Sequence, residues 1–300
     1  MAYTKKNLIV AFINDFRMMF IKQRRPDVLL DFSGDPRRLA EAVRKGKKNF
    51  LRFSYLFAES EVDDLQDAYY TLLITGHELA HWINKHNEHV DAGPIDSQAI
   101  ECFADFTGTI LAILAATWCH EVSRILDDLF ESHPYKDAPV DVRAVEVGLA
   151  IRRLYKEVYL KAGDDDRYPP PMFRRSTVMS TATHAFVRRF PHYQHEESWT
   201  YLNYYIMKAI ENEDELDIIG LDEAAQEELI QRCARVHARL QGNDDAILSG
   251  LKEEFRRFIR FSYVSEEILD TVGLPPSPVD HIKDDREALL RMLELARVGR

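Results

Sequence analysis

Cysteine is scarce. Cys102, Cys119 and Cys233 are the only three in 300 residues, and their spacing forms no metal-type pattern. An odd, sparse set argues against a disulfide framework and suits a reducing compartment. Long apolar runs are missing too. The run Leu8 to Ile13 holds six residues, too short for the core of a secretion signal. The longest, Phe106 to Cys119, falls short of the ~18 apolar residues a membrane span needs and reads as a core helix. Positive charge is in deficit. Lys and Arg number 39 against 50 Asp and Glu, a net charge of −11, which argues against nonspecific attraction to nucleic acid or to a membrane surface. No internal repeat or low-complexity segment interrupts the chain. The expectation is a soluble, cytoplasmic, globular protein with a sizeable core.

What is present is mostly helical periodicity. Apolar residues recur at helical spacing over 7–22, from Leu8 to Phe20. Pro36 is placed to open a second short helix through Val43. The basic residues Arg44, Lys45, Lys47 and Lys48 then read as a solvated loop. Asn49 to Ala58 is rich in aromatics and partly alternating, so it is the best strand candidate. As an edge strand it could hold an extended peptide by strand addition. Ser60 or Asp63 caps a helix over 62–86. A second long helix runs from Ser97 to about Leu129, and Pro139 starts another to about Leu160. Further helices are expected at 175–190, 196–212, 222–241, 243–261 and 284–298, with Leu274 to Pro278 as a stiff linker. The fold class is mainly α (α+β), with at most a small sheet near residue 50 and a helical C-terminal half. The expected division is a core over 1–165 and a helical region over 166–300 that completes or covers its cleft.

Inside the 62–86 helix lies Gly76-His77-Glu78-Leu79-Ala80-His81, an H-E-x-x-H pattern. Four residues apart on a helix, His77 and His81 project from one face about one turn apart. Two neutral imidazoles so placed can grip one zinc ion, and Glu78 can reach water beside it as a general base. Leu72, Leu73, Ile74, Leu79, Trp82 and Ile83 surround the polar trio, so the helix is mostly buried and its polar groups need partners. A catalytic zinc takes a third protein ligand. Glu101 lies twenty residues after His81, past a loop that can turn the chain back. Asp105 follows one turn later on the same face, where a carboxylate can bond the outer nitrogen of a ligating histidine. Cys102 points about 100° away from Glu101 and reads as a small buried residue.

H-E-x-x-H followed by Glu101-x-x-Ala104-Asp105 resembles the gluzincin zinc metallopeptidases. The twenty-residue spacing resembles the thermolysin type, and the E-x-x-A-D form resembles the CAAX-prenyl-protease type. The resemblance implies Glu101 as the third zinc ligand and Asp105 as the partner of His77. Tyr168-Pro169-Pro170-Pro171-Met172-Phe173-Arg174 resembles the H-P-P-x-x-x-R segment of the CAAX-protease type, with Tyr168 in place of the histidine and Arg174 matching the arginine. There Tyr168 would donate to the oxyanion, and Arg174 would hold it or bind substrate. His184, on a helix of small residues, is the rival donor. The likeness covers residues 74–106 and 168–175. The phage-exclusion (Lit-type) peptidases are a further, loosely similar group.

The expected function is that of a zinc metallopeptidase acting on a selective protein or peptide target. The alternative is a zinc-stabilised binding or regulatory protein that hydrolyses nothing, with His86 or His89 as a fourth ligand.

Overall fold

The computed structural model describes residues 2–84, 86, 94–137, 141–162, 167–189, 196–210 and 250–256. These are mainly helical, with one small three-stranded sheet. The expected helices at 222–241 and 284–298, the 274–278 linker and His89 lie outside the described residues, as does all of 243–261 except 250–256.

The first helix, α1, spans Lys5–Met18. Thr4 and Asn7 close a capping box at its start. Its apolar stripe of Leu8, Ile9, Phe12, Ile13 and Phe16 is fully buried. Three strands follow: β1 (Leu29–Gly34), β2 (Ala40–Lys45) and β3 (Lys48–Ser54). β3 is central, parallel to β1 and antiparallel to β2.

Two expectations fail here. The helix expected from Pro36 to Val43 is in fact a turn at Pro36–Arg37 and the start of strand β2 from Ala40. Leu39, Ala40, Glu41 and Ala42 suit a helix locally, but Gly46 adopts a φ of 64° at the hairpin turn and folds the segment back onto β3. The resulting ladder of pairings overrides propensity. The strand expected to reach Ala58 stops at Ser54, whose side chain accepts from the Phe57 N–H and opens the short helix α2 (Tyr55–Glu59). The 49–58 segment is therefore no edge strand; the edge beside the motif helix is β2.

α3 (Leu65–Ile83) carries the motif. Its cap is Asp64, which accepts from the Asp67 N–H at 2.7 Å, in place of the expected Ser60 or Asp63. α4 (Pro94–Trp118) lies against it. Among the described residues α4 is the one helix long and apolar enough to cross a membrane, and 83% of its most apolar window is buried inside the protein. The single helix expected to run from Ser97 to Leu129 is two. Cys119 is extended, and α5 (His120–Glu131) starts anew. Asp15 of α1 makes that break possible. It accepts from the backbone N–H groups of Glu121 at 3.2 Å and Val122 at 2.8 Å, capping α5 from another helix.

α6 (Val142–Leu154) starts from Asp141, whose side chain accepts from the Ala144 N–H. It continues through a π-helical turn, Tyr155–Tyr159, into the short α7 (Leu160–Ala162). α8 (Pro171–Arg189) packs on α4 and α9 (Glu196–Ile210) on α6.

Candidate metal centre

The crossing of α3 and α4 builds the site. A Cβ on Gly76 would stand 2.3 Å from the Gly108 carbonyl oxygen, and a Cβ on Gly108 would stand 2.5 Å from the His77 nitrogen. Only two glycines let the backbones approach so closely. α4 returns antiparallel to α3, so one turn beyond the crossing Asp105 faces His77, and a turn further Glu101 faces His81. The ligand spacing in sequence becomes one cluster because the helices touch at Gly76 and Gly108.

His77 Nε2 and His81 Nε2 are 3.0 Å apart. Glu101 places Oε2 3.4 Å from His77 Nε2 and Oε1 3.4 Å from His81 Nε2. Ligands about 2.1 Å from a tetrahedral ion stand roughly 3.4 Å from one another. Two imidazoles and a carboxylate at this spacing form a group that could hold a metal ion.

Behind the donors sits a loaded carboxylate. Asp105 is 2% exposed. Its Oδ1 lies 2.9 Å from His77 Nδ1, an ion-pair distance at which the ring N–H is not in line for a full hydrogen bond. Arg174 donates to it twice, from Nε at 2.7 Å and Nη2 at 2.9 Å, and the Tyr159 hydroxyl donates at 3.0 Å. Arg174 Nη2 also lies 3.3 Å from Glu101 Oε2. The guanidinium stacks over the Tyr159 ring at 4.1 Å and reaches the Tyr168 ring at 5.5 Å. Arg174 thus ties one ligand to the group that orients another.

Electrostatics follow from burial and these contacts. Burial works against a charge on His77, but Asp105 and Glu101 outweigh it and raise its pKa to about 10. Burial lowers His81 to about 4, with the His77 charge adding to the effect. The histidine pair therefore carries one positive charge, on His77, while His81 stays neutral. Burial opposes ionisation of Glu101 and Asp105 as well, yet the nearby cations keep both below the usual carboxylate range. Glu78 moves the other way. Burial lifts it to about 7, against the pull of His77 and of the Ala42 N–H. That N–H, on the outward edge of β2, donates to Glu78 Oε2 at 2.6 Å.

The structure thus brings together His77, Glu78, His81, Glu101, Asp105, Arg174 and the ring of Tyr168. His184 stays apart. It lies ten residues beyond Arg174 on α8, roughly 15 Å along the helix axis. Sequence reading missed one member, Tyr159, and gave another, His86, a different role. Tyr159 belongs to the π-helical turn, and such turns often mark functional sites, but nothing in its flanks signals one. His86 lies 6% exposed past the end of α3, its Nδ1 2.9 Å from Nδ1 of His81. It contacts the side of that ring opposite Nε2, which does not suit the fourth-ligand role. Cys102 is buried, as expected.

No family model matches the chain, and no curated protein or solved structure matches it.

Proposed function

We propose that this chain is a zinc-dependent metallopeptidase with a zincin-like core, acting on a selective protein or peptide target in the cytoplasm. One observation carries the reading. Two histidine nitrogens and a carboxylate stand 3.0–3.4 Å apart on two crossing helices, a group that could hold a metal ion, beside a further carboxylate with a pKa of about 7.

His77, His81 and Glu101 would hold the ion, which when bound supplies Lewis-acid charge that polarises a carbonyl and acidifies water. Glu78 acts on the proton. With its pKa near neutrality it takes a proton from the attacking water and passes it to the leaving amine as the C–N bond breaks. The Ala42 N–H fixes one of its oxygens, leaving Oε1 for this exchange. The backbone N–H and C=O of Ala40 and the C=O of Ala42 face outward on β2, with no partner among the described residues. An extended peptide can add there as a further strand, which brings a carbonyl past Glu78. Tyr168, whose ring lies 5.5 Å from the Arg174 guanidinium, is the favoured oxyanion donor over His184. Arg174 serves by holding Asp105 and Glu101.

The test pairs metal analysis with Glu78→Gln. The variant is expected to keep stoichiometric zinc while peptide cleavage falls by about a hundred- to ten-thousandfold. Substrates are found by comparing new protein termini in cells carrying wild type or the variant. If Glu78→Gln retains the full biological activity, peptidase chemistry is not the function, and a zinc-stabilised regulatory role takes its place.

A further inference from the structure

We propose that His86 is the positioning residue that makes His81 a competent metal ligand. The inference rests on the reading of His77, His81 and Glu101 as ligands, and concerns what holds the second of them.

A neutral histidine that offers Nε2 to a metal must carry its proton on Nδ1. The acceptor of that proton decides both the tautomer and the ring orientation. For His77 the partner is the Asp105 carboxylate, 2.9 Å away. Among the described residues no carboxylate stands at hydrogen-bond distance from Nδ1 of His81. Among the described residues the partner of that atom is Nδ1 of His86, at 2.9 Å. The proton belongs to His81, so His86 must offer a lone pair at Nδ1 and carry its own proton on Nε2.

The surroundings fix His86 in that role. Its ring meets His81 edge to face, at 4.9 Å between centroids and 78° between planes, and packs edge to face on Phe103 at 6.2 Å. Phe103 belongs to α4, two residues after Glu101, so both sides of the site brace the ring. Chain geometry also points this way. On a continuing α-helix, a residue five positions on would lie about 140° around the axis from His81. α3 instead ends at Ile83, and the Asn84 side chain donates to the Ala80 carbonyl at 2.8 Å. The end of the helix turns His86 back onto His81.

The test measures zinc affinity by competition with a chromophoric chelator for wild type, His86→Leu and His86→Asn, each checked for a wild-type circular-dichroism spectrum. His86→Leu keeps an apolar group against Phe103 but has no acceptor. His86→Asn keeps an acceptor oxygen near the place of Nδ1. The expected result is a ten- to hundredfold loss of affinity in His86→Leu, the usual effect of losing such an outer partner, largely restored in His86→Asn. Nitrogen-15 spectra of the zinc-loaded wild type should show the His81 proton on Nδ1. Equal affinity in His86→Leu and wild type, or a proton on His81 Nε2, overturns this inference alone. A wild type that binds no zinc overturns the metal reading, and this inference with it.

Discussion

Adding one methyl group at Gly108 presses directly on the helix crossing that assembles the site. The new Cβ would lie 2.5 Å from the His77 nitrogen, 2.6 Å from the Gly76 carbonyl carbon and 2.6 Å from the His77 Cα. All three are backbone atoms and cannot swing aside. Ordinary contact needs about 3.5 Å, so α3 and α4 must part locally by roughly 1 Å. Overpacking of this kind costs about 1–3 kcal/mol. Alanine returns about 0.5–1 kcal/mol of helix propensity. The net expectation for Gly108→Ala is a loss of about 1–2 kcal/mol, measured by urea unfolding of the zinc-free protein. The effect on the site should be larger in proportion. His77 and His81 ride on α3 and Glu101 on α4, so the added separation opens both 3.4 Å contacts with Glu101. Zinc affinity should drop at least about tenfold, as it does when ligands lose their orientation. Retained helicity in circular dichroism separates this outcome from unfolding. If Gly108→Ala binds zinc like the wild type and unfolds at the same urea concentration, the crossing does not set the ligand geometry and the reasoning fails.

Other outcomes follow from the same contacts. At pH 8.5 Glu78, with a pKa of about 7, is already mostly ionised, while His77, at about 10, still carries its proton. Zinc must displace that proton, so calorimetry in buffers of different ionisation enthalpy should show about one proton released per zinc; no release would mean His77 is not a ligand. Arg174→Met leaves the buried Asp105 carboxylate without its cation and should destabilise the fold by about 3–5 kcal/mol, read from denaturant unfolding. A loss under about 1 kcal/mol would show that His77 and Tyr159 suffice to hold Asp105. Asp15→Ala removes the cap that α1 lends to α5 and should cost about 1–2 kcal/mol in the same assay.

The division between what is legible locally and what is not runs along contact range. The burial of α1 and α3 and the register of His77 with His81 follow from residues three and four apart, which a helix brings together whatever else folds. The Glu101–Asp105 pair shares a face for the same reason, so the candidate metal-binding group could be named from spacing. Three features could not, because their causes lie far along the chain. Ala40–Lys45 is a strand because β3 pairs with it, against its own helical preference. The helix breaks at Cys119 because Asp15, more than a hundred residues earlier, satisfies the exposed amides. Tyr159 and Arg174 meet Asp105 across separations of 54 and 69 residues.

By itself the sequence determined the candidate donors: two histidines one turn apart, a glutamate on the next helix, and a carboxylate between the histidines. Those are properties of side-chain chemistry and helical pitch. Only the tertiary structure decided how the donors are held. Two glycines set the distance between the helices, β2 became the edge strand that bonds Glu78, and the end of α3 laid His86 on His81. Each depends on backbones meeting across the fold, and no local pattern encodes such a meeting.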